Sequence, residues 1–277
     1  MVTVKLYGGL GNQMYQYAAG VALARKLRSK LHLDTAWFEQ IKGNADVTQR
    51  IYELDGFGIA PAPLSVLDKI NLRLNPPKLF SESGLGFNKD FEELNGNVYL
   101  DGYWQSYKYF EEYRQAILEA FSFPETISRS NLRLLTQIKK LNSVSIHVRR
   151  GDYNTKRGRS YHGLIGKSYY YKALEDLSKK VKHPVVFIFS DEIDWCKKNL
   201  TFDYPLEFID SNSTNAGVED MRLMSSCKHN IIANSSFSWW AAWLNKNVEK
   251  TIYAPTAWFA GEEHNIDDRL PTQWIRI

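Results

Sequence analysis

The sequence predicts an α/β protein made of two Rossmann-like halves. Three observations support this class: short β-branched runs alternate with amphipathic helical runs, glycines fill the first strand-to-helix turn, and charged side chains follow a buried strand near mid-chain. Such alternation is typical of parallel sheets covered by helices, which bind ligands at the carboxyl ends of their strands. A chain of 277 residues is long enough for two such halves.

The N-terminal half begins with one β-α-β unit. The pattern predicts a strand at 2–7 (VTVKLY), a tight loop at 8–12 (GGLGN), a helix with one apolar face at 13–28 and a strand at 30–34. Residues 40–135 are less regular and carry Pro- and Gly-rich stretches such as APAPL and NPPK, so insertions or irregular packing are expected there.

Regular elements return at residues 97–121, which predict a strand, a polar and aromatic turn, and a helix. We place a domain boundary near residue 130, between an N-terminal domain at 1–130 and a C-terminal domain at 131–277. From residue 143 strands and helices alternate cleanly to the strand TIYAP. Two such halves facing each other would leave a cleft at the carboxyl ends of their strands.

The composition excludes several function classes. A net charge of +4 is too small to indicate nucleic-acid binding. Cys196 and Cys227 lie far apart without a CxxC pair, so neither a disulfide framework nor a thiolate zinc site is expected. Without a signal peptide or a long apolar run, we expect a cytosolic chain. The basic runs at 156–159 and 179–182 fit solvated surfaces, with weak contact to phosphates or an anionic membrane as the alternative.

The first strand-to-helix turn could bind an anion or a sugar. Gly8, Gly9 and Gly11 would bring backbone amides and a helix N-terminus to a ligand, and Asn12 fits either helix capping or substrate contact. The dinucleotide fingerprint fails because Met14 stands where a third glycine is required, and no P-loop is present. A turn that only needs glycine backbone freedom is the alternative interpretation.

The motif HVRRGDY at the end of a predicted strand is a stronger candidate. Arginine can donate two hydrogen bonds to phosphate oxygens and histidine can add another. Alternation puts His147 and Arg149 on one side of the strand and Val148 on the other. We therefore expect one arginine of the pair Arg149 and Arg150 to face a ligand and the other to support structure. A purely structural cluster with Asp152 is the alternative.

Two further features lie near the C-terminus. NSSFSWW at 234–240 is a strand end running into a helix, where serine hydroxyls and helical amides suit a phosphate. A serine N-cap before a core helix with buried tryptophans is the alternative. Asp220 could be a first-turn carboxylate favoured by the helix dipole, or it could accept hydrogen bonds from guanine N1 and N2.

The sequence does not indicate a catalytic metal. It contains no Asp-x-Asp, and its histidines lack metal-ligand spacing. If a diphosphate leaves, Arg149 and helix N-termini would have to meet its charge.

Three stretches in this order, GGLGNQMYQYA, HVRRGDY and LMSSCKHNIIANSSFSWWAAWL, resemble the α-1,2-fucosyltransferases of glycosyltransferase family 11. Enzymes of that family move fucose from GDP-fucose to a galactose 2-hydroxyl, and the match covers most of the chain. The resemblance implies a GT-B fold, in which two Rossmann-like domains face each other across a cleft. It also implies inverting transfer without a metal and no cofactor besides the donor substrate.

Motif positions carry the family's donor-binding roles onto this chain. The resemblance implies that Arg149 holds the β-phosphate and stabilises the departing GDP, that His147 lies beside the nucleotide, and that Asp220 binds guanine. The full set of donor-binding residues implied in this way is His147, Arg149, Asp220, Ser235, Ser236, Phe237, Gly9 and Gly11.

The implied catalytic residues are Arg149, Asn12, which would face the fucose, and Asp152, which could act as a base or brace the arginines. Related α-1,6 enzymes have a glutamate as the proposed base where this chain has Arg157. The base is therefore open, and four further side chains are possible by location: Asp34, Glu39, Asp101 and His162.

The acceptor is expected in the N-terminal half, along DGYWQSYKYF. Tyr103 or Trp104 could stack on a sugar there, or Trp104 could pack against a helix at 106–121. The expected partners are GDP-fucose and a galactose-terminated oligosaccharide or lipid-linked glycan, with no nucleic acid. Membrane contact would be peripheral to the inner membrane at most. A nucleotide-dependent oxidoreductase and a non-catalytic sugar-binding module are the competing functions.

Overall fold

The computed structural model describes residues 1–44, 48–210, 212, 217–261 and 267–277, and for Arg157 it describes the backbone alone. The chain forms two compact units: Met1–Pro124 with Asn265–Pro271, and Glu125–His264 with Thr272–Ile277. Each unit has helices packed around one parallel sheet, so the predicted class of two Rossmann-like α/β halves is confirmed. None of the described helices combines the length and apolarity needed to cross a bilayer.

The first unit contains a four-stranded sheet in which every pairing is parallel. The strand order is β2-β1-β4-β3. The strands are β1 (Val2–Lys5), β2 (Leu31–Asp34), β3 (Lys78–Ser81) and β4 (Val98–Asp101). The helices are α1 (Leu10–Lys26), α2 (Ala36–Gln40), α3 (Val66–Leu74) and α4 (Arg114–Ala120).

Three sequence-based expectations for the first unit are corrected. Residues 40–135 are not merely irregular, because they contribute the edge strand β3 and the helix α3. The helix expected at 106–121 is two short 3-10 turns followed by α4. The loop expected at 8–12 ends at Gly9, since Gly8 turns the chain with a φ of +78° and α1 starts at Leu10.

The second unit contains a six-stranded parallel sheet in the order β10-β9-β8-β5-β6-β7. The strands are β5 (Asn142–Val148), β6 (Pro184–Ser190), β7 (Leu206–Phe208), β8 (His229–Ile231), β9 (Ile252–Ala254) and β10 (Ile275–Arg276). The helices are α5 (Arg129–Lys140), α6 (Lys156–Tyr161), α7 (Lys167–Ser178), α8 (Ile193–Asn199), α9 (Gly217–Ser226) and α10 (Ser236–Leu244). Strand β10 was not predicted, since two residues carry no periodic signal.

The central strand β5 is buried on both faces, and the two faces differ in polarity. Its even-numbered residues join an apolar core with α7 and β6: Val144, Ile146 and Val148. Its odd-numbered residues are polar and also buried: Ser143, Ser145 and His147. The two serines are hydrogen-bonded, for the Ser145 hydroxyl accepts from the Asn230 side chain at 2.7 Å and the Ser143 hydroxyl donates to the Ile138 carbonyl at 2.8 Å. His147 is thus the last residue of a polar face.

Candidate functional site

Three neighbouring strands of the second unit deliver polar groups to one edge. β8, β5 and β6 lie side by side and run parallel, so their carboxyl ends meet at that edge. β5 is followed by Arg149 and Arg150, β6 by Asp191 and Glu192, and β8 by the N-terminus of α10. This edge is the candidate site.

Arg149 is held by two carboxylates. Its Nη2 lies 2.8 Å from Asp152 Oδ1, its Nε donates to the same oxygen at 3.1 Å, and its Nη1 lies 3.2 Å from Asp191 Oδ2. Burial alone would lower the pKa of Arg149, but Asp191 and Asp152 together outweigh it and raise that pKa. A guanidinium has five N–H donors, and the contacts of Arg149 with the described carboxylates use three of them, so two more can serve a ligand.

Arg150 is engaged on the other side of the chain. Its Nε donates to Glu192 Oε2 at 3.0 Å, its guanidinium carbon lies 3.7 Å from the centre of the Trp195 ring, and its backbone N–H donates to Asp191 Oδ1 at 2.9 Å. These contacts anchor the chain after β5 to the chain after β6. Arg150 therefore has a structural role, whereas Arg149 still has N–H groups that can donate hydrogen bonds to a ligand.

His147 is a neutral, buried ring beside Arg149. It is 4% exposed, and burial together with the charge of Arg149 lowers its pKa to about 3. Its ring centre lies 5.5 Å from that of Phe237 in the first turn of α10. Within the described part of the chain, His147 Nδ1 is buried and has no hydrogen-bond partner. An unsatisfied buried polar atom is costly, and in His147 this atom lies on a ring next to Arg149.

The N-terminus of α10 faces the same edge without a serine cap. Ser235 occupies the N-cap position in an extended conformation, with φ −135° and ψ 130°, and its hydroxyl makes no capping hydrogen bond in this structure. A serine thus stands at the N-cap position, as the alternative interpretation expected, but its hydroxyl does not cap the helix. The tryptophans behind it are core residues, as expected, each at most 2% exposed: Trp239, Trp240 and Trp243. The positive end of the α10 dipole is left at the site.

The loop after β5 is fixed by short-range packing. Tyr153 stacks on His162 with ring centres 4.0 Å apart, and its hydroxyl donates to the Asn234 carbonyl at 3.2 Å. A Cβ added to Gly158 would lie 2.2 Å from the Asp152 carbonyl oxygen, so α6 rests directly on the Asp152 backbone. The basic run at 156–159 is therefore a structural element of this loop, and its glycine permits the close approach.

Asp220 lies in the first turn of α9 and belongs to a different polar group. Its Oδ1 accepts from the Asn212 side chain at 2.6 Å. Burial raises its pKa to about 6, the charge of Glu219 adds to the rise, and the Asn212 hydrogen bond opposes it. Glu219 pairs with Arg222 at 2.9 Å, whereas the described residues supply no ion pair to Asp220. A half-buried carboxylate with a raised pKa and no counter-ion among the described residues is typical of a functional site.

Three predicted site residues, Gly9, Gly11 and Asn12, lie in the first unit, at or in the first turn of α1. Asn12 Oδ1 accepts from Gln105 Nε2 at 2.7 Å, and Gln105 Oε1 accepts in turn from Arg269 Nη1. Arg269 is 2% exposed and comes from the C-terminal segment that returns to this unit. A chain of side chains thus fixes the Asn12 amide at the carboxyl edge of the first sheet.

Trp104 is a core residue and does not reach a ligand. It is fully buried, with a φ of +55°, and stacks on Phe80 at 5.7 Å. Glu82 holds this turn by accepting from the Tyr103 and Trp104 backbone N–H groups at 2.7 and 3.0 Å. Burial raises the pKa of Glu82. The interpretation of Trp104 as a sugar platform is therefore wrong. Trp104 packs against Phe80 and, as the alternative expected, against the 106–121 segment, where the Tyr109 ring centre lies 5.3 Å away in an edge-to-face contact.

Tyr103, the residue before Trp104, belongs to an aromatic cluster that reaches solvent. It is 43% exposed, and its ring centre lies 4.8 Å from that of Tyr7, which lies 5.9 Å from that of Trp37. The three residues follow β4, β1 and β2, so they share the carboxyl edge of the first sheet. We call Tyr7, Trp37 and Tyr103 the aromatic shelf.

The alternative base residues are all held by structural contacts. Asp34 accepts from the Tyr99 hydroxyl at 2.5 Å and the Ala36 N–H at 3.0 Å, and Asp101 pairs with Lys5 at 2.9 Å. Glu39 pairs with Lys42 on the surface at 3.2 Å, and His162 is stacked on Tyr153. The side chain at Arg157, where related enzymes have a glutamate, lies outside the described residues.

Two acidic residues of the site, Asp191 and Glu192, were not predicted from the sequence. The alternation after residue 143 predicts a helix at 191–200 (DEIDWCKKNL), but α8 starts at Ile193, so Asp191 and Glu192 directly follow the end of β6 instead. The sequence did contain a signal for them, because two acidic residues directly follow the apolar strand PVVFIFS, the next strand after the one that ends in HVRR. Glu82 had no such signal, because β3 itself was not predicted.

The model of the family described as Glycosyl transferase family 11 matches residues 87–277. The chain belongs to glycosyl transferase family 11. An Escherichia coli alpha-1,2-colitosyltransferase is 37% identical over 291 residues, covering 100% of this chain and 99% of the relative. An Escherichia coli O-antigen biosynthesis glycosyltransferase, WbnK, is 33% identical and covers 98% and 99%. As a member of family 11 the chain is a glycosyltransferase, which excludes the oxidoreductase and the non-catalytic module.

More distant proteins also match this family 11 chain. Human galactoside alpha-(1,2)-fucosyltransferase 1 is 26% identical, covering 87% of this chain and 65% of the relative. A crystal structure of NodZ alpha-1,6-fucosyltransferase soaked with GDP-fucose has a TM-score of 0.48 at 16% identity, covering 88% of this chain and 91% of the other.

Replacing Asp220 should stabilise this family 11 chain at neutral pH. The folded-state pKa of about 6 exceeds the unfolded value of about 3.9, so stability falls as pH rises between these values and stays reduced above them. Asp220→Asn removes this half-buried charge and keeps an acceptor for Asn212. We expect a gain of roughly 1–2 kcal/mol at pH about 7.5 and none at pH about 4, measured by chemical unfolding.

Glu219→Gln is the matched control, since it neutralises the adjacent acid but breaks the ion pair to the buried Arg222. It should lower stability at neutral pH. An Asp220→Asn variant that is no more stable than the wild type at neutral pH would contradict the argument.

Proposed function

We propose that this chain transfers L-fucose from GDP-β-L-fucose to the 2-hydroxyl of a terminal galactose, with inversion and without a metal. The observation that carries the proposal is one contact: His147, two residues before Arg149, touches Phe237 in the first turn of α10. A fixed cation and a helix N-terminus therefore share one edge, which suits the leaving diphosphate. The names of the colitosyl- and fucosyltransferase relatives support the α-1,2 linkage.

Arg149 would stabilise the departing GDP. Its two carboxylate partners fix its orientation and leave two N–H groups for the β-phosphate. We propose that Asp152 acts as this brace rather than as a base. His147, being neutral, adds a hydrogen bond without charge, and Ser235, Ser236 and Phe237 present the α10 N-terminus to the second phosphate.

Asp220 would bind the guanine. Its carboxylate is mostly ionised above a pKa of about 6, and guanine offers two N–H donors, N1 and N2, in the geometry that one carboxylate accepts. A half-buried carboxylate without a counter-ion among the described residues gains from such donors. The Asn212 hydrogen bond to Oδ1 fixes the carboxylate beforehand.

The transfer itself is proposed as a single displacement, in which the galactose 2-hydroxyl attacks fucose C1 as the bond to GDP breaks. The family resemblance assigns Asn12 of the first unit to the sugar, and a hydrogen bond from Gln105 fixes its amide beside the Gly9 and Gly11 turn. The aromatic shelf would bind the acceptor, because exposed aromatic faces stack on the apolar faces of sugar rings. The acceptor would be an oligosaccharide or a lipid-linked glycan.

The direct test is a panel of galactose-terminated oligosaccharides incubated with GDP-fucose, with the product linkage determined by NMR. We expect α-1,2-linked fucose on terminal galactose and GDP release that depends on the acceptor. A parallel arm uses GDP-colitose, the donor with the same sugar lacking its 3-hydroxyl, because of the relative that is named a colitosyltransferase. If the enzyme uses GDP-colitose and not GDP-fucose, the proposed donor is wrong. If the product linkage is not α-1,2 to galactose, the proposed acceptor position is wrong.

Arg149→Ala should lower kcat by roughly 10²–10³, since one well-placed electrostatic group contributes about 3–4 kcal/mol to a transition state. Steady-state kinetics with saturating acceptor measures the change. Arg150→Ala is the matched control, because Arg150 is engaged by Glu192 and Trp195, and it should change kcat by less than about tenfold. Near-normal turnover of Arg149→Ala would sink the assignment.

Tyr103→Ala should raise the acceptor KM by about tenfold, because loss of one stacking contact costs roughly 1 kcal/mol or slightly more. The affinity for GDP, measured by calorimetry, should stay unchanged. Tyr103→Phe should retain the wild-type acceptor KM, and Tyr161→Ala, at another exposed tyrosine, serves as the control. An unchanged acceptor KM in Tyr103→Ala would remove Tyr103 from the acceptor site.

A further inference from the structure

The helix α3 turns its apolar side away from the protein. Val66, Leu67 and Leu74 are 72%, 77% and 75% exposed, and Ile70 is 47% exposed. At about 100° per residue these four side chains fall within one stripe along the helix. Asp68, on the opposite side, faces the protein and accepts hydrogen bonds from Lys30 at 2.9 Å and from the Ser65 hydroxyl at 2.6 Å. Surface helices ordinarily bury such a stripe.

The exposed apolar surface is concentrated in one stretch of the chain. Ten large hydrophobic side chains are exposed in the described residues, and five of them lie within 66–79, the fifth being Leu79 at 61% on the edge strand β3. Prolines at 61, 63, 76 and 77 bound α3 on both sides and keep it short. We call Val66, Leu67, Ile70, Leu74 and Leu79 the apolar stripe.

Basic side chains border the apolar stripe. Lys69 and Arg73 lie on α3 next to it, and Lys78 follows at the start of β3, and all three are exposed. Asp68 is the single acid between residues 65 and 78, and Lys30 already pairs with it. The border of the stripe is therefore cationic.

We propose that α3 is an interfacial helix that binds this chain to the surface of an anionic bilayer. Apolar side chains enter the boundary of the acyl chains while lysine and arginine reach the lipid phosphates, and this surface has both parts. A second copy of the chain is the other possible occupant. Docking stripe to stripe would bring two cationic borders together on chains that each carry a net charge of +4, which disfavours it.

The position of α3 in its unit is compatible with access to the acceptor edge. The Asn97 side chain, just before β4, donates to the Asn75 carbonyl at 2.7 Å, and Lys30 lies just before β2. Both contacts lie at the amino edge of the first sheet, whereas Asn12 and the aromatic shelf lie at its carboxyl edge. Membrane binding through α3 therefore leaves that carboxyl edge uncovered, and it does not depend on which sugar is transferred.

The test is co-sedimentation of the full chain with vesicles of phosphatidylcholine alone and of phosphatidylcholine mixed with phosphatidylglycerol. The wild type should bind the anionic vesicles, and binding should weaken at about 0.5 M salt. Leu67→Glu/Leu74→Glu should weaken binding at least roughly tenfold. Leu132→Glu/Val248→Glu, at exposed apolar positions elsewhere, adds the same charge and should bind like the wild type within about threefold.

The basic residues that border the apolar stripe are tested with a second double variant and its matched control. Lys69→Gln/Arg73→Gln should weaken binding to anionic vesicles, whereas Lys179→Gln/Lys180→Gln in the second unit should not, because those lysines pair with Asp176 and border no exposed apolar helix face. Far-UV circular dichroism checks that each variant folds. Amide hydrogen exchange of the wild type with vesicles should protect residues 65–79, a readout that needs no variant.

Three results would overturn the proposal. One is absence of wild-type binding to anionic vesicles, with no protection of residues 65–79. Another is equal binding by Leu67→Glu/Leu74→Glu and the wild type. The third is a concentration-dependent dimer of the wild type, seen by light scattering, that Leu67→Glu/Leu74→Glu abolishes, which would assign the stripe to a second copy.

Discussion

The ion pairs that hold Arg149 between Asp152 and Asp191 are the constraint on which the second unit's site depends. A free arginine side chain carries about 2 kcal/mol of rotamer entropy, so a guanidinium that must meet a phosphate benefits from being fixed beforehand. Asp191 directly follows β6 and Asp152 lies in the loop after β5, and both reach Arg149 because the two strands are neighbours. A Cβ on Gly151 would lie 2.6 Å from Asp191 Oδ2, so glycine there allows the carboxylate to approach.

The same ion pairs change the electrostatics that the motif alone would suggest. The two arginines of HVRRGDY by themselves predict a cationic site. In the structure their charge is offset by three acids, Asp152, Asp191 and Glu192, and the His147 ring is neutral. The positive potential that remains comes from the unused N–H groups of Arg149 and from the α10 N-terminus. Such a site attracts an anion by directed donors rather than by net charge, which favours a ligand of defined geometry.

In the first unit the equivalent constraint is carried by residues distant in sequence. The Ser106 hydroxyl donates to the Asp268 carbonyl at 2.6 Å, the Lys108 ammonium pairs with the Asp268 carboxylate, and Arg269 holds Gln105 against Asn12. A segment about 160 residues downstream thus positions the turn that carries Tyr103. The local pattern around Asp268 does not predict this return, because the partners of Asp268 given above lie about 160 residues away in the chain.

The sequence by itself determined the elements with a strong period: β1-α1-β2, the regular alternation after residue 143, and the burial of the α10 tryptophans. Side-chain alternation also separated Val148, on the apolar face of β5, from His147 on the polar face, because alternation is a local property of any strand. Only the tertiary structure decided which groups meet. It placed Asp191 on Arg149, buried Trp104 and exposed Tyr103, and turned the apolar side of α3 outward. Strand order and long-range packing fix such contacts, and a one-dimensional pattern records neither.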